Sequence, residues 1–217
     1  MTVNDTNDDR DALDARASAL LETWFGDSTR DADALGARMR EWFESNEARD
    51  ADLFARFGAL VHEAARGGLA DWSATPRGRL ARILLLDQLP RNCFRGAEAA
   101  FATDAEALAE TQRGIVRGDD RALHVVERLF FYMPLQHAED AAVQEQSVDR
   151  FAQLAREAPP ESRTTFEAAA KFAALHRDIV RRFGRFPHRN AIVGRASTAE
   201  EIAWLAADAP DFGQKRR

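Results

Sequence analysis

Apolar residues return at three- and four-residue steps along almost the whole chain, and no other feature constrains the fold as much. Leu13, Ala17, Leu20, Leu21 and Trp24 set the period near the start, and Gly26 ends the run. At 3.6 residues per turn these positions share one face, which makes the segment from about Arg10 to Phe25 an amphipathic helix. The same spacing predicts a helix through Leu35, Met39, Trp42 and Phe43, and another over Asp52–Arg66 that Gly67-Gly68 closes. Pro76 suits the first turn of a helix carrying Leu80, Ile83, Leu84 and Asp87 on one face, and Pro90 is expected to end it.

Downstream the reading continues with helices over Asp104–Arg117, capped by Thr103 or Asp104, and over Arg121–Met133, which Pro134 is expected to break. A helix starting at His137 runs to Pro159-Pro160, a long one covers Glu161–Phe183, and the last begins at Ser197-Thr198. There, both Ser197 with Glu200 and Thr198 with Glu201 match a capping box. Alternating runs rich in Val, Ile and Thr, the signal of strands, are absent. The class is all-α, and the short breaks between long helices predict antiparallel helix pairs.

With 217 residues, 45% of them hydrophobic, the chain can build one sizeable core, expected over 9–208 between a flexible leader (1–8) and a loose tail (209–217). The formal net charge of -6 argues against nucleic acid as a partner, because that affinity comes from neutralising phosphates. Lys171 and Lys215 are the lysines; the remaining basic residues are all arginines, whose planar fork suits anions and carboxylates alike. The single cysteine, Cys93, excludes an intrachain disulfide and any cysteine-pair metal motif, which fits a reducing cytoplasm. No stretch approaches the roughly 18 apolar residues of a membrane helix, so no membrane partner is expected.

Three polar clusters interrupt this apolar chain. The first holds Asp87, Gln88, Arg91, Asn92 and Arg95 around Cys93 and Gly96. Asp87 falls on a core face, and its spacing to Arg91 suits a helical ion pair, but the extra amide and guanidinium donors exceed what one pair needs. The second cluster holds His137, Glu139 and Asp140. A carboxylate beside an imidazole fixes its tautomer for acid–base work, whereas acids at a helix start are equally explained as caps. The third holds Arg185, His188, Arg189 and Asn190, delivered by a helix on whose inward stripe His176 lies. Two arginines, a histidine and an amide within six residues make an anion clamp. Cys93 is read as a core thiol rather than a nucleophile activated by Arg91 and Arg95.

These clusters, in this order, resemble the family known as domain of unknown function 924, over about Leu20 to Leu205. The resemblance is carried by the runs 85–96 (LLDQLPRNCFRG), 132–140 (YMPLQHAED) and 185–190 (RFPHRN). It implies a tetratricopeptide-like α-α superhelix of helix pairs, with the cluster residues as its polar signature. The chain departs from the family's pattern at Ala138, where a serine is usual, and at Leu89, where a phenylalanine is usual. A serine nucleophile at position 138 is thereby excluded.

The function expected from these residues is an Arg/His/Asp-lined pocket that binds, or acts on, an anionic small molecule. In it Arg91, Arg95, Arg185 and Arg189 hold the anion while His137 or His188 moves a proton with help from Asp87 or Asp140. The alternative is a scaffold that binds protein partners, with the clusters as struts between helices. A zinc or iron site from His137, Asp140, His176 and His188 matches no recognised ligand spacing, and no motif specifies a cofactor.

Overall fold

The computed structural model describes residues 13–207, 209, 210 and 212, and among these there is no strand. The helices follow in the order α1 (Ala15–Phe25), α2 (Ala32–Phe43), α3 (Glu47–Ala65), α4 (Pro76–Ile83), α5 (Leu89–Cys93), α6 (Asp104–Arg117), α7 (Val125–His137), α8 (Ala141–Glu157), α9 (Arg163–Phe183) and α10 (Ala199–Ala206). The expected start at Arg10, the leader and most of the tail lie outside the described residues. The protein is all-α.

Local chemistry sets most helix starts. Asp14, Asp31 and Asn46 accept hydrogen bonds from the first free backbone N–H groups of α1, α2 and α3. At α10 the capping box is Thr198 with Glu201, each side chain bonded to the other's backbone N–H; the expected Ser197–Glu200 pair is not the one used. Gly118 and Gly184 end α6 and α9 in the left-handed conformation that glycine adopts without strain.

Two prolines do not act as expected, and both bear on the site. Pro90 does not end its helix. The chain widens into a π-helical turn over Leu84–Gln88, where the Leu89 N–H reaches the Leu84 carbonyl, and continues as α5. The wider turn accommodates the pyrrolidine ring, and such turns recur at functional sites. Pro90 has no N–H to give, and the carbonyl four residues before it, Leu86, accepts from the Thr103 hydroxyl at 2.6 Å. Thr103 therefore serves a neighbouring helix and makes no side-chain cap on α6.

Pro134 sits inside α7, which runs on to His137; burial from Val126 to Gln136 holds this helix together despite the missing hydrogen bond. His137 thus ends one helix and does not begin the next, which starts only after Asp140 caps it by accepting from the Val143 N–H at 2.9 Å. The Gln144 side chain closes the junction by donating to the carbonyls of Gln136 and Ala138.

Helices α4 and α7 are buried on nearly all faces, and the others pack around them. Trp24, Phe25, Trp42 and Phe130 form an aromatic cluster at one end, with Trp42 and Phe130 centroids 4.5 Å apart edge to face. The Trp42 indole N–H is satisfied by the Trp24 carbonyl at 3.1 Å. Beside this apolar core lies a buried charge network with no counterpart among the polar motifs. Arg79 and Arg82 of α4 both bond Glu110 of α6, and Arg79 also reaches Asp119 at 2.8 Å and the Ser73 carbonyl at 2.7 Å. Helices α8 and α9 form a hairpin through the turn at 158–162, and α9 hands the chain to the loop that carries Arg185 to Asn190.

Candidate functional site

Asp87, in the π-helical turn, is fully buried, and that placement has to be compensated. Its Oδ1 stands 2.8 Å from His137 Nδ1 and 3.2 Å from Arg91 Nη1, and its Oδ2 accepts from Gln88 Nε2 at 2.5 Å. Arg91 also donates to the Asp87 carbonyl at 2.7 Å. Burial alone would raise the Asp87 carboxyl, but Arg91 and His137 outweigh it and hold it down at about 2. The carboxylate is ionised at every physiological pH.

His137 is pushed below its ordinary value by burial and by the positive charge of Arg91, and is therefore neutral at pH 7. An ionised carboxylate can only accept, so the proton of the neutral ring is assigned to Nδ1 and the lone pair to Nε2. Nε2 has no protein partner among the described residues, and the ring lines a cavity of about 400 Å³. A neutral imidazole oriented by a buried carboxylate, on a ring that lines a cavity, can take a proton from a bound molecule.

Arg189 lines the same cavity. Its guanidinium is held between the rings of Phe101 and Phe186, 4.7 and 4.6 Å from their centroids, and Nη1 bonds Asp104 Oδ2 at 3.1 Å. Asp104 also takes Arg91 at 2.9 Å, so this one carboxylate ties the Asp87–His137 pair to Arg189. Burial, reinforced by the nearby charge of Arg91, lowers Arg189 to about 10. Its Nη2 has no partner among the described residues. An anion at the cavity would relieve that poorly compensated cation.

The remaining predicted residues divide. Glu139 lines the cavity and is engaged by Arg195 and by the Phe186 N–H, each at 2.8 Å, contacts that pull its carboxyl below the ordinary range against the effect of burial. Asp140 lines the cavity mouth while capping α8. His176 donates from Nδ1 to the Phe172 carbonyl at 2.8 Å, and its ring lies 6.4 Å from His137, 5.5 Å from Phe186 and 4.1 Å from Phe212. Burial pushes both His176 and His188 down to about 3, so both are neutral. Asn92 and Arg95 face Asp50 of α3, at 2.8 and 2.9 Å. Arg185 and Asn190 face Glu201 of α10, at 2.7 and 3.3 Å. Among the described residues, no three His, Cys, Asp or Glu side chains converge as metal ligands.

Asp50, Phe101, Asp104 and Arg195 belong to this arrangement and lie outside every motif. Asp104 carried only the signal of a helix-start acid, and Phe101 that of an apolar residue. Cys93 is pushed up to about 11 by burial and by Asp50, as suits a core thiol and not a nucleophile.

Comparison with known proteins agrees with the extent of these features. A family model described as "Bacterial protein of unknown function (DUF924)" matches residues 20–209. A solved structure of a protein of unknown function from Agrobacterium tumefaciens is 39% identical, covers 82% of this chain and 99% of its own, and superposes with a TM-score of 0.69. No curated protein matches the sequence.

Proposed function

The chain belongs to the DUF924 family, and on that premise we propose that its cavity binds a small anionic molecule, with Arg189 as the anion contact and His137 as the proton acceptor. The observation that carries this reading is the pairing of a neutral His137, its Nε2 unengaged, with an Arg189 guanidinium whose Nη2 is unspent, on one cavity wall. Asp87 orients the imidazole, Arg91 and Asp104 connect it to Arg189, and Phe101 and Phe186 fix the guanidinium plane. A cavity of this volume is in the range of small-molecule sites.

A second reading, a scaffold whose polar clusters are struts, is favoured by Arg95 and Asn92 on Asp50 and by Arg185 and Asn190 on Glu201. In each case the donors close a contact between chain segments. Native mass spectrometry of protein purified without chelator separates the two readings. A bound mass lost in Arg189→Ala, with the melting temperature within a few degrees of wild type, supports the pocket. A clean apo mass, no shift of wild-type melting by any carboxylate or phosphate, and an Arg189→Ala that melts well below wild type leave only the strut.

A further inference from the structure

The cavity wall is not simply basic. Three carboxylates, Asp104, Glu139 and Asp140, face two guanidiniums, Arg189 and Arg195. Glu139 is consumed by Arg195, whose two Nη atoms both bond it, and Asp104 by Arg189 and Arg91. Arg91 is balanced in turn by Asp87 behind the wall. The uncompensated charge is Asp140: it is exposed, its Oδ1 caps α8, and its Oδ2 has no partner among the described residues. Arg189, only 7% exposed, keeps Nη2 as its uncommitted terminal donor. Its Nε also has no hydrogen-bond partner among the described residues, and Nε with Nη2 forms the edge by which arginine grips a carboxylate at two points. A dianion would meet a wall already in negative surplus, whereas a ligand carrying one charge of each sign would not.

Building on the anion-pocket reading above, we propose that the ligand is a zwitterion of amino-acid type. Its carboxylate sits on Arg189, its ammonium on Asp140, and its apolar side chain against Phe101 and Leu108.

The test is isothermal titration of the full chain with L-leucine, with 4-methylpentanoate, which lacks the ammonium, and with inorganic phosphate. Leucine is expected to bind up to about fivefold tighter than 4-methylpentanoate, the worth of one exposed ion pair. Asp140→Asn keeps the helix cap, because asparagine caps as well as aspartate, and is expected to erase that difference while carboxylate binding survives. Equal affinity for leucine and 4-methylpentanoate, or phosphate as the tightest probe, overturns the zwitterion and leaves the anion pocket standing. No heat from any of the three overturns both.

Discussion

His137 Nδ1 stands 2.8 Å from Asp87 Oδ1, although fifty positions separate the two residues. The contact joins the end of α7 to the π-helical turn after α4, and it makes one residue of an acidic tetrapeptide into an oriented base. Removing a single partner of a buried pair strands the other charge. Asp87→Ala, which leaves Arg91 without its innermost carboxylate, is expected to lose about 3 to 5 kcal/mol in urea unfolding. A midpoint unchanged from wild type would show that this contact does not hold the two helices together.

Thr103 completes the proline-containing turn from outside it. Valine at that position preserves the shape and removes the hydroxyl that reaches the Leu86 carbonyl. Thr103→Val is expected to destabilise the protein by about 1 to 3 kcal/mol, the cost of leaving a buried carbonyl short of a donor. Thr103→Ser, measured in the same denaturation series, should recover most of that loss.

The network around Glu110 makes an independent prediction. A Cβ on Gly114 would lie 2.5 Å from the Phe131 ring and 2.6 Å from the Arg79 side chain, so Gly114→Ala forces the buried guanidinium to move. The expected loss is about 1 to 3 kcal/mol from overpacking, despite alanine's better helix propensity. A stabilised Gly114→Ala protein would mean that Arg79 is free to shift.

Stability should fall in mild acid. The folded values of His176 and His188, about 3, lie below the ordinary 6.5, so between these limits the unfolded chain binds more protons. Stability is greatest above pH 6.5 and declines progressively as pH falls towards 3. At pH 5 the almost fully buried His176 alone is expected to cost about 2 kcal/mol. His176→Leu should flatten this part of the pH profile in chemical denaturation; a profile as steep as wild type would assign the acid sensitivity elsewhere.

Cys93 should resist alkylation. With its thiol raised to about 11, little thiolate exists at pH 8, and iodoacetamide labelling of the native protein is expected to be many times slower than after unfolding. Rapid native labelling would place Cys93 in a different environment from the one described here.

The sequence by itself determined the helices and the starts at Pro76, Asp104 and Thr198, because both are local, whereas α3 begins at Glu47 and not Asp52, and α7 at Val125 and not Arg121. The stripe Leu20, Leu21, Trp24 and the box Thr198–Glu201 are satisfied within a few residues of chain. It also marked Asp87 and His137 as polar residues in apolar company. It misjudged Pro90 and Pro134 because a proline's effect on a helix depends on what surrounds it: burial sustains α7, and a widened turn carries the chain past Pro90. Only the tertiary structure decided which charges meet. Asp87 with His137, Arg79 with Glu110 and Arg189 with Asp104 are 50, 31 and 85 residues apart, and no periodicity spans such intervals. The choice among many carboxylates for each arginine follows from which pair the packed helices exclude from water. There an unpaired charge is costly and a paired one is retained.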